Sequence, residues 1–543
     1  MRNVAQLPLL LSFSLPIHKA GALRISSPAL LMPNSVDSGI GFYTSGIFPD
    51  SSVLTKSTYL CRQKLDSTAI LYCMSEDKEK ENTLQLEITS YASEGKALGR
   101  YGNIVVFVKG AVPGDVVDVS IFRRRKNYWE GVIEKVIAES SFRAQPFCRH
   151  FGTCGGCTWQ NLSYEKQLLF KETQVKEQLE RIGKIDDIPL QPILRSPEAL
   201  FYRNKLEFTF HPLRWLYDDE IGKEIPSSAL PALGFHVPGK FDKVLDIEEC
   251  FLQPEPSNAI RRAAKEIALK LNMEFYDPKK HEGLLRTLLI RNNASGEFLV
   301  AVMLKHEDEE RRTAFLDELS QRFPQIVSLW YVINPKLNDA WSDLDVIHYK
   351  GKEFLTEQME DLTFRIGPKS FFQTNTRQAL NLYRVVREYA GLKGSETVYD
   401  FYTGTGTIAL FLSRQAGKVV GLEYVNEAVE DAKINAAVNN IENTVFYAGD
   451  IRRIFSDELL QKEGRPDVLI MDPPRNGVHE DVLRGVLKAS PERIVYVSCN
   501  PATQARDIAL LSSLYRLTKV QPVDMFPHTM HVESVALLEK INQ

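Results

Sequence analysis

In the last third of this 543-residue chain, a buried strand, a glycine turn and an apolar helix follow one another and then repeat, and no other feature constrains the fold as much. Val398–Tyr399–Asp400–Phe401 reads as a strand, Gly404–Thr405–Gly406 as a tight turn and Thr407 onward as a helix start. Such alternation predicts a doubly wound, Rossmann-like parallel sheet, which binds ligands beyond the carboxyl ends of its strands. A ligand there meets close backbone and a helix N-terminus. The second strand, Lys418 to Leu422, ends about twenty residues on in Glu423, whose carboxylate can accept hydrogen bonds from both hydroxyls of a ribose. NAD is the competing ligand, but the third glycine of a dinucleotide fingerprint is replaced by Ala409.

Three further segments point at the same crevice. Val468 to Met471 leads into Asp472–Pro473–Pro474–Arg475, where the prolines stop the strand and leave Asp472 facing the cleft. Asp-Pro-Pro segments are familiar from amino-methyltransferases of nucleic acids. Ile494 to Val497 ends in Ser498–Cys499–Asn500–Pro501, and a cysteine exposed at a strand end is where a reactive thiolate belongs. The plainer reading is a buried small hydrophobe, against which the polar neighbours Ser498 and Asn500 argue. Near the C-terminus, Glu533 precedes the apolar strand Ser534 to Leu538 and acts as a general base if it is desolvated; otherwise it is an ordinary surface carboxylate. His528 and His531 are expected to shape the loop rather than bind metal. One chemistry uses all these parts. Carbon 5 of uracil is a poor nucleophile, so an enzyme that methylates it adds a thiolate at carbon 6, and a base later removes the proton from carbon 5.

Cys148, Cys154 and Cys157 lie close together, and Cys250 stands alone far downstream. Gly155–Gly156 lets the loop fold back so that three thiolates converge, with the fourth arriving from elsewhere. Three plus one suits an iron–sulfur cluster; zinc, which prefers two close pairs, and unliganded thiols are the alternatives, and His150 could stand in for a cysteine. Cys61 and Cys73 fall in the leader and are set aside.

The first 36 residues hold Arg2, Lys19 and Arg24, several serines and no acid before Asp37, which is the composition of an organelle transit peptide, plastid before mitochondrion. After the charged stretch Ser75 to Asn82, short strands at even spacing (Leu84 to Ile88, Ile104 to Val108, Val116 to Ile121, Trp129 to Val136) predict a small barrel of the OB type. Its Arg123–Arg124–Arg125–Lys126 run beside Tyr128 and Trp129 suits phosphates and stacked bases; a solvated hairpin tip is the plainer alternative. With a net charge of −4, no global field marks a nucleic-acid binder, so RNA contact must be local. No apolar run is long enough to span a bilayer, and a monomer without membrane contact is expected.

Ser498-Cys499-Asn500-Pro501, His531-Val532-Glu533 and Phe371–Phe372–Gln373–Thr374–Asn375 together resemble the signatures of the RNA (uracil-5-)-methyltransferases, in their iron–sulfur branch acting on ribosomal RNA. The resemblance spans roughly residues 84 to 540. It implies S-adenosyl-L-methionine (SAM) contacts at Gln373, Tyr402, Glu423 and Asp472, a [4Fe–4S] cluster on Cys148, Cys154, Cys157 and Cys250, and a TRAM-type barrel at the front. Thr407 stands where the family often has asparagine. The tRNA-acting branch is expected to lack barrel and cluster, which favours rRNA over tRNA. The expected layout is a leader over 1–78, an OB-type TRAM domain over 79–138, a central α+β domain with the cluster over 139–365 and a Rossmann-like methyltransferase domain over 366–543. A non-catalytic RNA-binding assembly factor on the same fold is the rival from another class, and a cytosine-directed enzyme is disfavoured because no second cysteine lies near Asp472 or Asn500.

Overall fold

The computed structural model describes residues 83–92, 95–217 and 220–541. The expected leader lies outside the described residues. Five short strands, β1 (Thr83–Tyr91), β2 (Ala97–Tyr101), β3 (Ile104–Lys109), β4 (Val116–Arg124) and β5 (Tyr128–Ala138), form a closed barrel in the order β1-β2-β3-β5-β4. Alternating residues such as Leu86, Ile88, Val106, Val108, Val117 and Val119 point inward and fill it. Closure leaves no free edge on which another strand could pair. The sequence pattern misses β2 because Ala-Leu-Gly-Arg-Tyr is short and contains glycine.

A central seven-stranded sheet follows: β6 (Lys205–His211), β7 (Ala232–His236), β8 (Val244–Asp246), β9 (Leu285–Asn292), β10 (Phe298–Leu304), β11 (Ile326–Ile333) and β12 (Val346–Gly351), ordered β12-β11-β10-β9-β6-β7-β8. The helices Ser257–Lys270 and Glu309–Arg322 share its core through Ile260, Ile267, Phe315 and Leu319.

The hairpin β13 (Leu355–Met359) and β14 (Leu362–Ile366) packs with the helices Thr376–Ala390 and Thr407–Ser413. Its Leu355 also packs on Leu289, Leu299 and Ala301 of the central sheet, so the hairpin joins the central body to the last one. A second seven-stranded sheet completes that body: β15 (Thr397–Phe401), β16 (Lys418–Glu423), β17 (Thr444–Ala448), β18 (Val468–Met471), β19 (Arg493–Ser498), β20 (Tyr515–Val523) and β21 (Glu533–Lys540). Its order is β17-β16-β15-β18-β19-β21-β20.

Two features differ from the linear reading. The sheet is parallel from β17 to β19, but β21 runs antiparallel to both β19 and β20. The short loop between β20 and β21 contains no crossover helix, so these strands can only meet as a hairpin. Secondly, the helix Tyr164–Arg181 serves the last sheet, not the central region where it falls in sequence. Its Val175 and Leu179 pack with Tyr399, Tyr496 and Ile508, and Leu190 and Leu194 bridge to Val520 and Val523. Among the described residues no helix is long and apolar enough to cross a membrane.

Candidate active site

The crevice lies where β15, β16, β18 and β19 end. Tyr402 and Gly404 both adopt left-handed backbone, with φ of 63° and 55°, which turns the chain sharply out of β15. At Gly406 (φ 80°) a Cβ would stand 2.9 Å from that of Ala432, so the turn also needs glycine to let the helix Asn426–Val438 approach. Glu423 braces the turn: its carboxylate accepts the N–H of Gly404 at 3.0 Å and that of Val425 at 2.9 Å. The Gln373 segment lies over it, since Thr405 Oγ1 donates to the Phe371 carbonyl and Asn204 Nδ2 to the Gln373 carbonyl. Tyr402, Glu423 and Gln373 are thus gathered around one turn.

The register of β19 and β21 places the other two residues. Ser498 pairs with Ser534. Cys499 follows directly after Ser498, and Glu533 stands directly before Ser534, so the two flank the last pair of the ladder. Their charges couple accordingly. Burial, then Glu533 and Asp472, push the Cys499 thiol up to about 11, while Arg475 opposes them. Glu533, only 7% exposed, is held well above the usual carboxylate range by burial and by Asp472, again against Arg475. Asp472 is raised to about 7 by burial alone, and among the described residues its carboxylate has no hydrogen-bond or ion-pair partner. Asp400, at the end of β15, is raised to about 7 chiefly by burial, though Thr403 Oγ1 donates to it at 2.5 Å.

A crevice that crowds several reluctant carboxylates and offers a tight glycine turn suits a ligand carrying positive charge and a ribose. The residues present therefore fit SAM. Sequence reasoning misses Asp400 and Arg475 as site residues, because in the linear chain one is an ordinary strand position and the other the tail of a proline motif. Their acid–base setting appears only once the strand ends are assembled.

The loop that carries Glu533 is bolted down from the far side. Gln167 donates through Nε2 to Nδ1 of His528 and accepts the His528 N–H at 2.8 Å. Lys171 and Asp524 form a fully buried ion pair at 2.5 Å, joined by the Tyr164 hydroxyl. His528 thus shapes the loop, as expected. The same loop touches the cysteine segment: the N–H groups of Thr158 and Trp159, immediately after Cys157, both donate to the His528 carbonyl.

Cys148, Cys154, Cys157 and Cys250 line a single cavity walled by Phe147, Phe151, Phe235 and Leu252. All four thiols are free, and burial raises each of them. Asn258 fixes Cys250 by accepting its N–H and donating to its carbonyl. Among the described residues no three His, Cys, Asp or Glu side chains stand close enough together to hold a single metal ion. His150 is not a free ligand: Nε2 accepts the Glu248 N–H at 3.0 Å, and Nδ1 lies 3.1 Å from the Tyr217 hydroxyl. On the barrel, the Arg124 guanidinium lies 4.7 Å over the ring of Trp129, which also stacks on Tyr101. Trp129 is half-buried rather than part of the core.

Sheet order and crevice define a SAM-dependent methyltransferase fold. The sequence profile of the tRNA (uracil-5-)-methyltransferases matches residues 343–541, and that of the TRAM domain matches residues 78–133. An RNA methyltransferase of Bacteroides thetaiotaomicron is 52% identical over 451 residues, 82% of this chain and 99% of that protein. One from Porphyromonas gingivalis is 51% identical, over 83% and 99%. The crystal structure of the Pyrococcus abyssi tRNA (uracil-54, C5)-methyltransferase with S-adenosyl-L-homocysteine superposes with a TM-score of 0.65 at 29% identity, covering 84% of this chain and all of that one. The chain belongs to the RNA (uracil-5-)-methyltransferase family and is a methyltransferase.

Proposed function

We propose that this enzyme methylates carbon 5 of a uridine in RNA through a covalent bond between Cys499 and carbon 6, with Glu533 as the base. The observation that carries it is the pairing of Ser498 with Ser534, which brings the residues just after and just before them, Cys499 and Glu533, to one strand end where their charges couple. Bound in the crevice, SAM supplies an electrophilic methyl group. The Cys499 sulfur adds to carbon 6, and the electrons of the 5,6 double bond move toward the ring carbonyl. Once carbon 5 carries the methyl group, Glu533 takes the proton from that carbon, the double bond returns and the sulfur leaves. A raised carboxylate suits this role, because a base is most effective when its proton affinity is high enough to compete. Incubation with SAM and RNA carrying 5-fluorouridine tests the proposal: carbon 5 then has no proton to give up, so a stable adduct at Cys499 should accumulate. Its absence would refute the covalent route.

A [4Fe–4S] cluster on Cys148, Cys154, Cys157 and Cys250, in a structural role, is the second part of this reading. Support comes from one buried and three half-buried thiols lining one apolar-walled cavity, with His150 occupied elsewhere. With the Ser-rich, acid-poor leader, these features favour ribosomal RNA in a plastid as the target. The Pyrococcus enzyme, named for tRNA, favours transfer RNA as a second reading. Mapping 5-methyluridine in plastid rRNA and tRNA from cells lacking the protein decides between them.

A further inference from the structure

Arg475 is exposed at the mouth of the crevice, yet both of its ends are fixed. Its carbonyl accepts hydrogen bonds from Asn500 Nδ2 at 2.9 Å and Thr503 Oγ1 at 3.3 Å, which fastens it to the segment following Cys499. Its guanidinium reaches the other way, with Nη2 3.5 Å from Nδ1 of His531, two residues before Glu533. That histidine offers no charge of its own: burial, with Arg475, Lys171 and Arg203, lowers it to about 4. Among the described residues Arg475 forms no ion pair with a carboxylate. The charges of Glu533, Asp472 and Arg475 act on Cys499, and those of Asp472 and Arg475 act on Glu533. Among the described residues the crevice thus holds acids that resist ionisation and, in Arg475, a cation without an ion-pair partner set between the nucleophile and base segments.

We propose that Arg475 is the positioning cation of the reaction: anchored between the two segments, it favours the Cys499 thiolate and then balances the charge that moves onto the pyrimidine carbonyl. This rests on Cys499 being the nucleophile. The electron balance needs no co-reactant, since the S–C6 bond forms as the 5,6 π pair shifts toward the ring oxygen. An arginine at a cleft mouth serving only as a phosphate clamp would act differently, changing RNA affinity and its salt dependence and leaving the free thiol alone.

Alkylation of the full-length protein with iodoacetamide, without RNA or SAM, reads the thiolate directly. The rate is followed between pH 6 and 10 by mass spectrometry of the peptide containing Cys499. Arg475→Gln should shift the profile upward by about one pH unit, so that alkylation at pH 8 slows roughly tenfold. Arg475→Lys, which keeps the charge, should stay within about threefold of the unmodified protein. A Gln variant that follows the unmodified curve, or a Lys variant that falls as far as Gln, overturns the proposal; so does weakened RNA binding with alkylation unchanged. Cys499→Ala separates this outcome from the reading beneath it. If that variant still methylates RNA, the covalent route itself fails; if it is inactive while Arg475→Gln alkylates normally, only the role of Arg475 is lost.

Discussion

Replacing Asp472 by asparagine should make the protein more stable and less active, by an amount that depends on pH. Burial alone lifts this carboxyl from 3.8 to about 7, and it has no partner among the described residues. A folded-state value above the unfolded one means that the carboxyl is tolerated in its protonated form, at low pH. As the pH rises from about 4 through 7, the folded protein must either keep a proton that the unfolded chain has released or bury a charge. Stability is lost over that window and the loss levels off above it. Every pH unit separating the folded and unfolded values is worth about 1.4 kcal/mol, so the full penalty approaches roughly 4 kcal/mol above pH 8 and about 1.5 kcal/mol near pH 5. Because the Asp472 residue is half-buried at the open crevice, solvent offsets part of this, and the observed figure should be on the order of 2 kcal/mol. Asp472→Asn removes the penalty at every pH. Thermal unfolding of the ligand-free protein at pH 5 and pH 8 is the assay: the variant's advantage should be clearly larger at pH 8, while isothermal titration shows weakened SAM binding. An advantage that is absent, or equal at the two pH values, would refute the account of a carboxylate kept at a cost to stability for the sake of its ligand.

Other perturbations probe the remaining parts. Glu533→Gln removes the base and should lower turnover about 10²- to 10⁴-fold while a covalent complex with ordinary RNA accumulates, visible as a band that survives denaturing electrophoresis. Gly406→Ala forces a Cβ to within 2.9 Å of Ala432 at a φ of 80°, and should cost about 1–3 kcal/mol in denaturant unfolding along with affinity for SAM. Lys171→Met leaves Asp524 buried without its cation and should destabilise by about 3–5 kcal/mol, with Asp524→Leu in the same chain restoring most of the loss. Cys250→Ser should abolish the iron content measured after anaerobic reconstitution, while SAM binding stays within about twofold.

The strands that end at the crevice were legible because each couples a short apolar run to a residue that stops it: the glycine turn after Phe401, Pro473 after Asp472, Pro501 after Asn500. Cys499 and Glu533 could be named individually, but nothing local says that they meet. Their juxtaposition depends on β21 reversing direction, and a strand's polarity is set by the loop before it and by the neighbour that accepts it, not by its own residues. The helix Tyr164–Arg181 escaped for a similar reason. Its apolar stripe predicts that it buries a face, but the pattern cannot say against which sheet. His150 reads as available in the linear chain, whereas the Glu248 N–H and the Tyr217 hydroxyl lie on its two nitrogens, and both partners are more than sixty residues away in sequence.

One small contact limits how this protein can be rebuilt. Gly95, in the barrel, accepts a hydrogen bond from the Trp159 indole through its carbonyl, and a Cβ at that position would stand 2.6 Å from the Cβ of Met530. The front barrel, the cysteine segment and the loop leading to Glu533 therefore share a single joint. A foreign barrel grafted here to change RNA preference would need a glycine at the same point, or it would displace the methionine three residues ahead of the carboxylate. The front of the chain is not an interchangeable cassette but part of the tooling that aligns the far end.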